Sequence, residues 1–424
     1  MMKLYRSATA RRLAPFGEEI RQGLVGGQTL EQAQAEATRH CGLEIEDVSG
    51  RDLVPPGGDY LVMGDDLFVS RECLRRFLQA PLTGKGVWRL DMRRGPASDY
   101  CLTLQAVEYD QAQVNFDLYR VRGAEVPRGL DWQRLRSWLA ERAQALVLDT
   151  GGEVESLTLS RPGPPRERLE LPRSLCLAVQ LGHWVHLLWL NHLLPWLRLQ
   201  EHWQDHAGLS RAWRRRGRNP HRRAARLNVI GPGCDIHPTA RVEGSLLGRG
   251  VKLGPFAYVR ESILGDGVEV ADHSKFTRCV VGEGCHTLND SLFIACTFYP
   301  DSTLASFLLR NSVIGRRVFL TSGVMFWDEP IQGTVRVRHG ASEVDTGRYL
   351  LGGCAGHECL LGTRAIFLPG RAVPNRTIIV MRPEEGVVKL PEQALPGQAH
   401  VYHQGRILPL AEVLPQYSPA ELEP

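Results

Sequence analysis

The sequence predicts a chain in two parts: a mixed α/β first half, and a second half wound as a solenoid of parallel strands with 17 residues per coil. Three observations carry this. At 424 residues the chain exceeds one ordinary domain, and its 43% hydrophobic content suffices for two cores. After position 226 a glycine recurs at a fixed period. The first half, in contrast, mixes alternating strand patterns with capped helix starts.

Gly231, Gly248, Gly265 and Gly282 mark successive coils, and each follows an aliphatic residue, Ile230, Leu247, Leu264 and Val281. Leu253 and Val259 continue from Leu247 in a six, six, five spacing. A helix repeats at 3.6 and a strand at 2, so neither gives this; a triangular coil with one inward side chain per face does. Stacked coils then lie ~4.8 Å apart, the separation of hydrogen-bonded strands. Glycine suits the corners, where positive φ is cheap for it alone. Gly315 and Gly362 restore the register, Phe367 to Asn375 reads as a closing coil, and Phe326 to Leu350 interrupts as an excursion loop. The solenoid is assigned to 227–392 with loop 326–350, and a tail to 393–424.

Residues 1–150 form the α/β part. Thr29 and Gln32 make a capping box for a helix running to about His40. Tyr60 to Met63 reads as a short buried strand leading into Gly64-Asp65-Asp66, and Ser70 caps a helix from Arg71 to Gln79. Trp88–Met92, Tyr100–Leu104 and Val114–Tyr119 alternate as strands. Residues 151–226 read as a helical junction and a basic linker. Between Arg173 and Arg198 there is no charge, but Gln180, His183, His186, Asn191, His192 and Pro195 are costly in hydrocarbon. A buried interdomain helix pair is expected there, with no stable membrane insertion. The arginines from Arg214 to Arg226 suit a solvated linker, with anion binding as the other reading.

Charged residues make up 23% and the net charge is +4, which excludes disorder and wholesale nucleic-acid binding. Ten scattered cysteines form no Cys-x-x-Cys pair, so neither a disulfide framework nor a zinc ribbon is expected, and a cytoplasmic location follows. The basic N-terminus lacks an apolar signal core.

On its glycine and aliphatic repeat, 227–381 resembles the left-handed parallel β-helix of hexapeptide-repeat proteins, and the coil is similar to the C-terminal domains of sugar-nucleotide pyrophosphorylases. The run Asp272-His-Ser-Lys-Phe-Thr-Arg-Cys-Val-Val-Gly-Glu283 resembles the His-x-x-Tyr element of the bifunctional glucosamine-1-phosphate acetyltransferase and N-acetylglucosamine-1-phosphate uridyltransferase family. The resemblance places His273 at the catalytic base, with Phe276 replacing the tyrosine and Phe298-Tyr299 standing where the family has Asn-Tyr. The family's lysine is missing, and Arg310 is the nearest cation. It implies acetyl-CoA or acyl-CoA as donor, a sugar phosphate or nucleotide sugar as acceptor, and a homotrimer. Lys275, Tyr299 and Arg310, with Trp327, Arg336 and Arg338 of the excursion loop, are the candidate substrate-binding residues. A solvated turn histidine is the plainer reading of His273, and His286 and His357 read as turn residues. The loop reads equally as a hairpin packed on a neighbouring subunit.

In the first half, Leu24-Val-Gly26-Gly27-Gln-Thr29 echoes the family's phosphate loop without its third glycine, its arginine or its Pro-Lys segment, and its plainer reading is a loop before a capped helix. Asp65 and Asp66 resemble its metal-binding position, for Mg²⁺. The implied domain is a degenerate, nucleotidyltransferase-like one without nucleotidyl transfer. Leu181 to Leu194 resembles the helix such proteins place between their two domains. The expected function is an acyl-CoA-dependent acyltransferase of the hexapeptide-repeat type; the alternative is a non-catalytic sugar-nucleotide sensor or scaffold.

Overall fold

A computed structural model describes residues 2–48, 58–158, 168–206, 227–380, 400–403 and 406–413. The arginine-rich run 214–226 lies outside them.

The first half is built on a six-stranded mixed sheet. Its strands are β1 (Lys3–Ser7), β2 (Glu44–Val48), β3 (Asp59–Gly64), β4 (Gly86–Arg93), β5 (Gln113–Arg122) and β6 (Ala143–Leu148), in the order β6-β4-β5-β3-β1-β2. Only β5 runs antiparallel to its neighbours. Successive side chains point to opposite faces, so each strand feeds two cores. Leu4, Leu61, Met63, Leu90 and Met92 pack under helices α1 (Leu30–His40) and α2 (Arg71–Gln79). Tyr5, Tyr60, Val62, Val87 and Val121 pack under α3 (Trp132–Arg142). Thr29 closes the expected capping box on α1, and Ser70 accepts from the Cys73 amide to start α2.

Three expectations change. Tyr100–Leu104 is no strand: a short helix, Pro96–Asp99, runs into turns there, and Leu104 has φ 71°, a left-handed conformation that a strand excludes. The junction is one helix, α4 (Trp184–Asp205), continuing through Pro195, and not a helix pair. Its leading residues Ala178–Gln180 instead form a strand on Leu67–Val69. The junction also begins with an antiparallel hairpin, Glu153–Thr158 with Arg168–Arg173.

From 229 to 379 the chain forms stacked parallel strands in three faces, which fits a left-handed β-helix. The first face holds eight strands, among them Val229–Ile230, Leu246–Leu247, Ile263–Leu264 and Val280–Val281. Ile230, Leu247, Leu264 and Val281 stand in one register, continued by Phe298 and Ile314. Leu247, Leu253, Val259 and Leu264 all join one buried core, as the six, six, five spacing requires. Ile230 ends the row and is 49% exposed because no coil precedes it among the described residues. The period shortens by a residue at Ala305–Phe307, and Met325–Phe326 still pairs with Ile366–Phe367 on the third face, so the excursion starts after Phe326.

The first face is apolar on both sides. Its outward residues Ile263, Val280, Thr297, Val313 and Cys354 are as buried as its inward ones. Ile263, Val280, Val313 and Cys354 lie in a core shared with Leu187, Leu190 and Leu194 of α4 and with Leu24 and Val25 of the first half. Each such apolar side chain stabilises by ~1.5–3 kcal/mol on burial. The two halves are therefore one packed body.

Candidate functional site

His273 occupies a solenoid corner. Corner residues Phe256, His273 and Asp290 have φ of 58°, 59° and 60°, and each of the latter two donates its amide to the coil before. That backbone throws the His273 side chain outward, where its ring stacks on Phe256 at 4.9 Å between centroids. The imidazole is exposed and has no hydrogen-bond partner among the described residues. Two residues on, Lys275 opens a third-face strand with an exposed ammonium and no ion pair among the described residues. Phe276, next after Lys275, turns inward, fully buried against Phe293 and Phe298. His273 and Lys275 thus share an open surface, an imidazole and an ammonium whose polar atoms no side chain among the described residues engages.

The other candidate residues are placed elsewhere. Tyr299 is 1% exposed, sealed by the first half of the chain. Its hydroxyl donates to Glu18 Oε1 at 2.7 Å and accepts from the Leu24 amide at 3.2 Å, and its ring packs on Phe16. It is an anchor between the two halves, not a substrate contact. Arg310 pairs with Asp328 at 2.7 Å, and Asn311 donates to the same carboxylate at 2.8 Å. Together they clamp the root of the excursion loop. Trp327 is 48% exposed beside that clamp.

Arg336 and Arg338 lie exposed on the loop's hairpin, Arg336–His339 with Ser342–Asp345, and donate to the carbonyls of Glu343 and Gly340. The hairpin packs on its own chain. Val335 and Val337 are buried with α4, His183 Nε2 meets the Arg338 carbonyl at 3.0 Å, and Arg348 lies over the rings of Tyr100 and Trp189.

Asp65 and Asp66 form the turn that follows β3 at the carboxyl edge of the sheet. Asp65 accepts from the Thr9 amide and hydroxyl, and Asp66 from Arg11 at 2.9 Å and Gln180 at 2.6 Å. Burial raises the Asp66 carboxyl to about 7, with Arg11 and Gln180 acting against that rise. Asp66 is engaged on both oxygens and Asp65 on Oδ1, and no group of three ligand side chains that could hold a metal ion occurs among the described residues. The donor set does not fit Mg²⁺, and no step is drawn through a metal. Gly26 and Gly27 form the tight turn of a small hairpin, Leu24–Val25 with Gln28–Thr29, rather than a phosphate cradle. The Gly26 amide is already donated to Asn191 Oδ1 at 2.8 Å.

Sequence reasoning missed the cluster that joins the halves. Glu18 accepts from Tyr299, Arg316 and His357, while His357 Nδ1 accepts the Arg316 amide at 3.0 Å. Asn191 of α4 ties the Leu24 carbonyl to Thr297 Oγ1. His286, expected in a turn, instead opens the strand His286–Thr287, where it is exposed and meets Thr303 Oγ1 at 2.9 Å.

Residues 215–295 match the family described as GlmU-like, C-terminal hexapeptide. No curated protein matches the chain. The matched segment contains His273 and Lys275 and stops short of Tyr299, Arg310 and the excursion loop, so the repeat region is hexapeptide-repeat and transferase-like where the open corner lies.

Proposed function

We propose that this chain is an acyltransferase of the hexapeptide-repeat type, with His273 as general base. The observation that carries the reading is the exposed imidazole on a left-handed corner inside the matched segment, without a hydrogen-bond partner among the described residues. In the proposed reaction His273 takes the proton of an acceptor amine or hydroxyl as that atom attacks the thioester carbonyl of acetyl-CoA or another acyl-CoA. The tetrahedral intermediate then collapses with loss of the CoA thiolate. Lys275 suits the phosphates of donor or acceptor because no carboxylate among the described residues neutralises it. The acceptor is proposed to be a sugar phosphate or nucleotide sugar, and the assembly a homotrimer in which a neighbouring copy walls the corner. All ten cysteines are free thiols, and no helix among the described residues is long and apolar enough to cross a membrane, which supports a cytoplasmic setting.

The second reading is a non-catalytic sugar-nucleotide sensor or scaffold. Its support is the loss of Tyr299 and Arg310 to intramolecular contacts. Acyl-CoA turnover with a panel of amino sugars, sugar phosphates and nucleotide sugars decides between them. Turnover that falls at least a hundredfold in His273→Ala supports the enzyme; binding of a nucleotide sugar without turnover supports the sensor.

A further inference from the structure

The six-stranded sheet of the first half has two edges, and they are built differently. At one edge β2, Glu44-Ile-Glu-Asp-Val48, carries three acids, of which Glu46 and Asp47 are held by Lys3 and Arg6 of β1. Charge on an edge strand keeps a further strand from adding to it. At the other edge β6, Ala143-Gln-Ala-Leu-Val-Leu148, has no charge, no proline and no glycine along its whole length. It pairs in parallel with β4 on one side, and no strand among the described residues pairs with its other side. An unguarded edge of this kind presents a row of amides and carbonyls as a template for another strand.

The side chains of β6 fit such an addition. Leu146 and Leu148 turn to the face that α1 and α2 cover. Ala143 turns to the other face, under α3, where Ala145 and Val147 follow it but stand exposed, Val147 at 45%.

The ends of the strand identify the partner. Glu141 and Arg142 precede it and Asp149 follows it, all three exposed. A second copy of the same strand, laid antiparallel, brings the basic start of each against the acidic end of the other. A twofold axis normal to the sheet sets residues of the same face opposite each other, so the axis passes through one residue of the strand and its own counterpart. With Ala145 on the axis, Glu141 opposes Asp149 of the second copy, and like charges directly opposite destabilise. With Leu146 on the axis, Ala145 opposes Val147 of the second copy, twice over, which brings the exposed side chains together. Ala143 then opposes Asp149 of the second copy, and Arg142 lies one residue from that carboxylate.

We infer that β6 is a self-association strand: two copies of the chain pair it antiparallel about a twofold axis through Leu146, joining their sheets into one. The contact is separate from the His273 corner and does not rest on acyl transfer. It doubles the assembly whether the unit is one chain or a threefold ring of chains.

Sedimentation equilibrium of the full chain, run over a hundredfold range of concentration, reads the association. Val147→Lys places a charge at an exposed edge position, and it is expected to halve the wild-type mass with an unchanged circular dichroism spectrum. Arg142→Glu is expected to weaken the association at least tenfold. Combining it with Asp149→Arg is expected to restore the association, because the exchanged charges still meet across the axis. A wild-type mass equal to that of Val147→Lys at every concentration overturns the inference. So does a charge exchange that fails to recover what Arg142→Glu lost, which would assign the edge to an extended segment of another protein.

Discussion

Tyr299 and Glu18 stand 281 residues apart in the chain and 2.7 Å apart in the fold. The hydroxyl sits under Phe16, and the carboxylate it serves also receives Arg316 and His357. Tyr299→Phe removes the donor to Glu18 and the acceptor of the Leu24 amide at a buried position. A loss of ~1–3 kcal/mol is expected, read as a lower urea midpoint at unchanged slope, with ligand binding and turnover retained. Unchanged stability with impaired binding would return Tyr299 to the substrate-contact role.

Three imidazoles make the junction acid-sensitive. His183, His186 and His192 each accept at Nδ1, from Val185, Gly182 and Tyr100, and donate from Nε2 to a carbonyl, so only the neutral form fits. Burial lowers them to about 4, 3 and 4. The unfolded chain binds these protons first, near 6.5, so their contribution is whole above that pH and is lost as pH falls toward 4. At ~1.4 kcal/mol per pKa unit the combined loss is several kcal/mol. Unfolding free energies measured from pH 7.5 to 4.5 are expected to fall steeply, and a flat profile contradicts the buried neutral assignment.

Asp66 acts with the opposite sign. Its carboxyl, raised to about 7 by burial, binds a proton in the folded chain at pH values where the unfolded chain has released it. Its contribution is present below the ordinary carboxylate value of about 4 and is lost as pH rises through 7. Asp66→Asn removes that dependence. The stability of the variant relative to wild type is expected to improve steadily from pH 4 to 7.5, and a constant difference would show that the carboxylate is ionised throughout.

Restoring the family's tyrosine at the corner is expected to harm the protein. Phe276 is completely enclosed by Phe293, Phe298 and the aliphatic column. Phe276→Tyr puts a hydroxyl among them without a partner, at a cost of ~1–3 kcal/mol. A lower thermal midpoint with no gain in turnover is the outcome expected; higher turnover would mean that the ring reaches the corner surface.

The aliphatic row Leu247, Leu264 and Val281 was legible because a stacked coil repeats its neighbours at a fixed separation. The cover on the outside of the first face went unread, although Ile263-Leu264 and Val280-Val281 carry two apolar residues where a half-wet strand carries one. Tyr299 was not legible, since its partners Glu18 and Leu24 approach only after the halves dock. Tyr100 to Leu104 alternates like a strand yet turns, because the preceding Pro96 helix and the left-handed Leu104 decide the backbone locally. The open position of His273 follows from its corner φ.

Both surfaces of the first face are dry, one against the prism interior and one against α4. A chain cut at 227 would present Ile263, Val280, Val313 and Cys354 as a bare greasy strip, and a chain ending at 206 would leave α4 equally naked. Neither half is a portable module. Recombination or fusion that exchanges one must bring along the matching surface of the other, and an excised solenoid is expected to come out of the cell as aggregate.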